Sequence, residues 1–368
     1  MALMRPRDLM MSFEPDGRVF LRSASRGVGA KAPPWAGPIL ALCSSPTERE
    51  QVVAAMGPQA GQLFDSLADA GLLVPPEEAA QTPVLFTNYA GIEVHRRMLV
   101  DEVRLDAYRR ALEATVRPDD VVIDAGSGSG VLAVMAALAG ARQVYALEQS
   151  DFAEMIPAVA AASGVGDRVE VIRGDFMLTE TPQKARVLVT ETFGAWAFAE
   201  DPVPDVGACA ARNLREDGVV IPGGVKLWAA GMPSAPPAIY APFRRREDGV
   251  DLTPLLPGAV GRGHIMVVDP ETVGAAHLVA DVRFPGPETI AGTLSLAEPC
   301  EALCCWYDLE MAPGITLSTS PHAPVTHWKQ SVLPFRLNKG EHEVFIRPAP
   351  EDRRTLLIEI GGVEVRLR

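Results

Sequence analysis

Apolar and polar positions along the 368-residue chain change rhythm twice, and each change marks a region. In the first region, to about residue 80, Gly17 to Leu21 predicts a strand. A helix signal follows at Ser45-Pro46-Thr47-Glu48, with Ser45 as N-cap, Pro46 at the first helical position and Glu48 closing a capping box. That helix stops at Gly57-Pro58, and a second places Leu63, Phe64 and Leu67 on one face before Gly71. Leu72-Leu73-Val74 reads as a short strand, and Pro75-Pro76-Glu77-Glu78 as a linker. Residues 1–80 are thus expected to form a small N-terminal α/β module, winged-helix-like.

From 84 to 221 short apolar runs alternate with helical periods. Strands are expected at Val121 to Ile123, Gln143 to Leu147, Val169 to Ile172, Arg186 to Thr190 and Gly218 to Ile221. Helices are expected at Val131 to Leu138, Phe152 to Ala162 and Val206 to Leu214. This order predicts a Rossmann-like parallel sheet with helices on both faces. From 222 to 368 Gly and Pro recur between alternating runs such as Glu343 to Arg347 and Thr355 to Ile360, which predict a β-barrel or sandwich.

Composition narrows the class of function. The apolar share of 48% and charged share of 22% fit a globular chain, and 368 residues suggest two or three domains. No apolar run approaches the roughly 18 residues of a membrane span, and Met1 to Phe13 lacks a leader pattern, so a cytoplasmic protein is expected. A net charge of −13 argues against a nucleic-acid partner and is compatible with a cationic substrate. Cys43, Cys209, Cys300, Cys304 and Cys305 form no regular spacing, which predicts neither a disulfide framework nor a metal site.

The chemistry begins at Val121-Val122-Ile123-Asp124-Ala125-Gly126-Ser127-Gly128-Ser129-Gly130, a strand running into a glycine turn and then a helix. Glycines there allow a ligand close to the carboxyl edge of the sheet. Glu148 ends the next strand, where a carboxylate can accept two ribose hydroxyls. Taken alone the turn fits several ligands. Its G-x-G-x-G spacing after an aspartate resembles the first motif of class I methyltransferases, which use S-adenosyl-L-methionine.

Further segments resemble the protein arginine methyltransferases, and together they span most of residues 84–368. Phe86-Thr87-Asn88-Tyr89 and Gly91 to Arg104 look like the family's cofactor-covering helix. Met98, Asp101 and Arg104, three apart, are expected on one helical face. The resemblance implies that Arg104 pairs with the cofactor carboxylate, with Met98, Asp124, Gly126, Gly128, Glu148 and Asp175 also on the cofactor. Tyr89 and Trp328 would contact the acceptor. Glu191 and Glu200 bracket a glycine-containing turn after the fourth strand and resemble the family's double-glutamate loop. A guanidinium has five N–H donors in one plane and no acceptor, so two carboxylates suit it. Thr326-His327-Trp328 resembles the family's Thr-His-Trp loop, which implies that His327 pairs with Asp101. Glu191, Glu200, His327 and Asp101 are the implied catalytic set. The segment from about 243 to 277 falls where the family inserts a dimerisation arm, implying a homodimer.

Departures bear on the acceptor. Leu85 stands where the family usually has Tyr, Thr192-Phe193 where it has Trp-Met, and Ala195 where a Tyr follows the glycine. The expected reaction is methyl transfer to arginine in a peptide or protein. Free L-arginine as acceptor, and a non-catalytic peptide-binding protein on the same fold, remain the alternatives. The N-terminal module loosely resembles small peptide-recognition domains of ribosomal-peptide maturation enzymes; a packing domain is the other reading.

Overall fold

A computed structural model describes residues 2–6, 9–13, 18–23, 26–81, 92–199, 202–284, 286–287, 289–349 and 352–367. The chain divides into two compact units. One comprises Met1–Ile92 with Gln149–Asp151 and Arg173–Asp175, and the other Glu93–Glu148, Phe152–Ile172 and Phe176–Arg368.

The first unit opens with an antiparallel meander of β1 (Leu9–Phe13), β2 (Val19–Ser23) and β3 (Val28–Ala32). Four helices follow: α1 (Ala36–Leu42), α2 (Arg49–Met56), α3 (Pro58–Asp69) and α4 (Pro76–Gln81). Val19, Leu21, Ile39, Val52, Phe64, Leu67 and Leu72 share its core. Three expectations need correction. The capping box forms one turn later than Ser45, with Glu48 as N-cap and its N–H donated to the Gln51 side chain at 2.7 Å. Val74 makes only an isolated bridge to Met4 instead of a strand. The expected linker is α4, because Pro76 suits a first helical turn and Glu77 and Glu78 favour the positive end of its dipole.

Next come α5 (Ile92–Leu99), which lies in the second unit from Glu93 onward, and α6 (Glu102–Thr115). A five-stranded sheet follows, built from β4 (Val121–Ala125), β5 (Gln143–Glu148), β6 (Val169–Arg173), β7 (Ala185–Thr190) and β8 (Leu214–Ile221) in the order β6-β5-β4-β7-β8. β4 pairs in parallel with β5 and β7, and β7 with β8. Helices α7 (Val131–Leu138), α8 (Ile156–Ala162) and α9 (Pro202–Asn213) make the crossovers. The order of strands reverses between β4 and β7, and the crevice beyond their carboxyl ends is where such sheets take ligands.

The remaining strands are antiparallel and form two sheets. One runs β10-β15-β13-β9-β11, with β14 on β13. Its members are β9 (Gly224–Met232), β10 (His264–Met266), β11 (His277–Arg283), β13 (Ala302–Ala312), β14 (Ile315–Ser318) and β15 (Gln330–Leu333). The other runs through β12 (Ile290–Leu296), β16 (Gly340–Ala349), β17 (Asp352–Ile360) and β18 (Val363–Leu367). Between β9 and β10 the chain makes an excursion holding two short helices, α10 (Pro237–Tyr240) and α11 (Leu256–Val260). One hydrophobic core runs from Tyr108, Val122 and Val187 through Trp196 to Tyr307, Leu333 and Ile358. The barrel-like part and the parallel sheet therefore hold their loops in fixed register within this unit.

Candidate active site

The site is assembled where a helix break, a glycine turn and two loops meet. The break comes first. α5 ends at Leu99 and α6 starts at Glu102, with Asp101 as its N-cap at φ −82° and ψ 80°. Met98, Asp101 and Arg104 therefore do not share the continuous helical face that their spacing suggested. An aspartate at an N-cap satisfies an otherwise orphaned N–H, and Asp101 Oδ1 accepts the Arg104 N–H at 3.0 Å. Its other oxygen, Oδ2, accepts the His327 backbone N–H at 2.8 Å and lies 2.9 Å from His327 Nδ1. Burial pushes the Asp101 pKa up, but the hydrogen bonds from His327 and Arg104 outweigh it and hold the group below the usual carboxylate range.

The same break aims Arg104. Its Nη2 donates to the Met98 carbonyl at 2.8 Å, and its Nη1 pairs with Glu191 Oε2 at 3.1 Å. The pair is buried, at 3% and 10% side-chain exposure, so it is screened far less than a surface ion pair. Arg104 Nε is buried with no partner among the described residues. Glu191 follows β7, and its Oε1 stands 4.0 Å from His327 Nε2. Burial pushes the Glu191 pKa above the ordinary range, against the pull of Arg104 and His327. Asp101, Arg104, Glu191 and His327 thus form one chain of alternating partners.

At the end of β4 the backbone adopts left-handed φ at Gly126 (77°) and Gly128 (51°). A Cβ on Gly128 would fall 2.6 Å from His95 Cε1, so only glycine fits that close approach. Glu148 Oε2 accepts the Gly128 N–H at 2.6 Å, which ties the ends of β5 and β4 together. Tyr108 donates to the Thr190 carbonyl at 2.8 Å and Thr190 Oγ1 to the Ala125 carbonyl at 2.9 Å, fixing the ends of β7 and β4 from beneath.

Asp124 and Trp328 differ from their expected placement. Asp124 is fully buried and its Oδ2 accepts the Ala133 N–H at 2.9 Å, in the first turn of α7. That oxygen serves the helix start, Oδ1 is buried with no partner among the described residues, and burial pushes the group's pKa up to about 7. Trp328 is buried, and its indole N–H is donated to the Phe193 carbonyl at 2.6 Å, so it holds the Glu191 loop instead of facing an acceptor. Asp175 belongs to the Arg173–Asp175 segment of the first unit and stands outside the unit that contains this cluster. Tyr89 and Glu200 lie outside the described residues.

His95 is the residue that sequence reasoning missed. Its buried ring lies against Phe152, with centroids 3.9 Å apart, and covers Gly128. The available signal was its place three residues before Met98, on the same α5 segment.

Comparison with known proteins bears on this arrangement directly. A family model described as the arginine methyltransferase oligomerization subdomain matches residues 266–342. A second, for ribosomal protein L11 methyltransferase, matches residues 109–190. Protein arginine N-methyltransferase 6 of Danio rerio is 27% identical over 319 residues, covering 78% of this chain and 91% of the relative. Protein arginine N-methyltransferase PRMT10 of Oryza sativa subsp. japonica is 37% identical over 147 residues, 39% of each chain. Among solved structures, the Trypanosoma brucei PRMT1 enzyme-prozyme heterotetrameric complex with AdoHcy superposes with a TM-score of 0.66 at 21% identity, covering 76% of this chain and 99% of that one. Arabidopsis thaliana protein arginine methyltransferase 10 gives 0.64 at 23% identity, covering 75% and 94%. The structural likeness concerns the fold, and the named relatives and the oligomerization match show the chain to be similar in sequence to protein arginine methyltransferases.

Proposed function

We propose that the chain transfers a methyl group from S-adenosyl-L-methionine to a guanidine nitrogen of arginine in a peptide or protein. The observation that carries this is the buried Glu191 carboxylate, held at the sheet's carboxyl edge between Arg104 and the His327–Asp101 pair. A carboxylate so placed suits a cation with several N–H donors.

The cofactor fits the residues present. Arg104 keeps one buried N–H without a described partner, and Glu148 ends β5 beside the Gly126–Gly128 turn at the carboxyl edge of the sheet. In this reading Arg104 holds the cofactor carboxylate, Glu148 its ribose hydroxyls, and His95 and Met98 border it. When bound, S-adenosyl-L-methionine supplies a methyl group on a sulfonium, a strong electrophile. The protein's own contribution is alignment and charge. Glu191 orients the acceptor guanidinium and concentrates electron density on the attacking nitrogen; Glu200 is the second carboxylate of the proposal. His327, anchored through Nδ1 to Asp101, keeps Nε2 turned to the Glu191 side, where it can take up the proton that the methylated nitrogen releases.

The dimer belongs to this reading as well. The oligomerization match and the exposed Val250, Leu255, Ile265 and Val267 on the excursion and its flanking strand support a homodimer built through that arm. The five buried free cysteines support a reducing compartment such as the cytoplasm. Among the described residues no helix is long and apolar enough to cross a membrane.

The test is label transfer from methyl-labelled S-adenosyl-L-methionine to an arginine-containing peptide, with the arginine-to-lysine peptide as control. Label on the first peptide alone is expected. Label on neither, in protein that binds S-adenosylhomocysteine, would favour a non-catalytic scaffold.

A further inference from the structure

Three non-glycine residues among those described have φ in the left-handed region: Trp196 at 43°, Ala197 at 65° and Lys329 at 56°. All three lie in the two loops that carry Glu191 and His327. Such backbone is rare for residues with a Cβ and persists only where the surroundings over-determine it. Here the surroundings can be named. Trp196 is 1% exposed and donates its indole N–H to the Trp306 carbonyl on β13 at 3.1 Å. Ala197 N–H donates to the Gly194 carbonyl at 3.1 Å and Ala199 N–H to the Ala195 carbonyl at 3.2 Å, which closes a tight coil behind the indole. Gly194 keeps that coil tight, since a Cβ there would sit 3.1 Å from the Ala199 backbone. Trp328 meets the same loop with its own indole N–H on the Phe193 carbonyl. The loop is therefore tied to the barrel by two indoles, one donated from it and one received by it.

We propose that Trp196 is a positioning residue for the acceptor site: its anchored indole holds the left-handed coil that sets where the Glu191 carboxylate points. The proposal rests on the reading of Glu191 as partner of the acceptor guanidinium. The groups assigned to the cofactor stand mainly on other supports. Gly128 and Glu148 are braced by β4 and β5, and Arg104 by the α5–α6 break. Loosening the coil should consequently disturb the acceptor far more than the cofactor.

The test is Trp196→Phe, which keeps an aromatic ring and removes only the N–H and part of the volume. Isothermal titration would measure S-adenosylhomocysteine, then an arginine-containing peptide in its presence, alongside kcat and KM for the peptide. The expected result is a peptide Kd and KM raised about tenfold, as for a buried carbonyl left unsatisfied. The S-adenosylhomocysteine Kd should stay within about twofold, because Gly128, Glu148 and Arg104 keep their supports on β4, β5 and the α5–α6 break, and only the Arg104–Glu191 pair links them to the coil. Adding Ala197→Gly should restore about threefold of the peptide affinity, because glycine adopts positive φ without the Cβ penalty. A merely structural role would weaken both ligands together and gain nothing from the glycine. Parallel weakening, or an unchanged peptide affinity, overturns the proposal. Wild-type protein that binds S-adenosylhomocysteine but no arginine peptide overturns the acceptor reading and the positioning role with it.

Discussion

Glu191→Gln is expected to lower kcat/KM for an arginine peptide by about a thousandfold, the range seen when one preorganised electrostatic partner of a transition state is removed. The side chain keeps its shape, but one oxygen becomes an NH2 group. A guanidinium offers donors only, so the new group meets it donor to donor. The lost negative charge also removes the field that distinguishes the attacking nitrogen from the others. Cofactor affinity should be unchanged or slightly tighter, because Arg104, no longer paired with a carboxylate at 3.1 Å, is freer to hold another. Steady-state kinetics with a titration of S-adenosylhomocysteine would check both halves. A kcat/KM within about tenfold of wild type would remove Glu191 from its assigned role, since one preorganised partner should count for more. Loss of S-adenosylhomocysteine binding in the same variant would make Glu191 a structural residue.

Arg104→Met should have the second-largest effect, and it reaches both ligands and stability. Removing one partner of a buried ion pair typically costs about 3–5 kcal/mol, because the remaining charge is left in low dielectric without compensation. The side chain left behind is Glu191, whose pKa burial already raises and which Arg104 and His327 pull back. Without Arg104 that pKa should rise further. The sign follows from linkage: a group protonated more readily in the folded than in the unfolded chain favours folding at low pH. That contribution is full below the ordinary glutamate value of about 4.5 and is lost as pH rises through the folded value. The variant should therefore lose thermal stability more steeply than wild type on going upward from pH 4.5, and bind S-adenosylhomocysteine about a hundredfold more weakly. Melting curves across pH would show it. Parallel stability profiles would mean that Arg104 does not neutralise Glu191 in solution.

Much of this arrangement is legible in the sequence, because its determinants are local. Val131 to Leu138 is a helix with the bounds its apolar run suggests, and the glycine turn lies between β4 and α7 as its spacing implies. Glu148 ends β5, and Glu191 follows β7, where their place after apolar runs puts them. What escaped depends on partners distant in the chain or on a cap overridden by periodicity. Asp101 followed by Glu102 is a readable helix start. Apolar and charged residues continue at helical spacing across it, however, so α5 and α6 look continuous. β3 has the sequence Val-Gly-Ala-Lys-Ala, poor in β-formers, and is a strand because it pairs with β2. The indole of Trp328 looked like acceptor-facing surface because nothing local marks its bond to Phe193, 135 positions away. The same holds for Trp196 and Trp306, separated by 110. Arg104 could be assigned to a ligand carboxylate from its motif, whereas its pairing with Glu191 emerges only when α6 and β7 are brought side by side.

The measurement that tests the central claim most directly is tandem mass spectrometry of products from S-adenosyl-L-methionine, with an arginine peptide and free L-arginine offered in the same reaction. Fragment ions that place one or more added methyl groups on the guanidine of the peptide's arginine, with free arginine unmodified, are the predicted result. Methyl groups on any other side chain, or on free arginine alone, would contradict it.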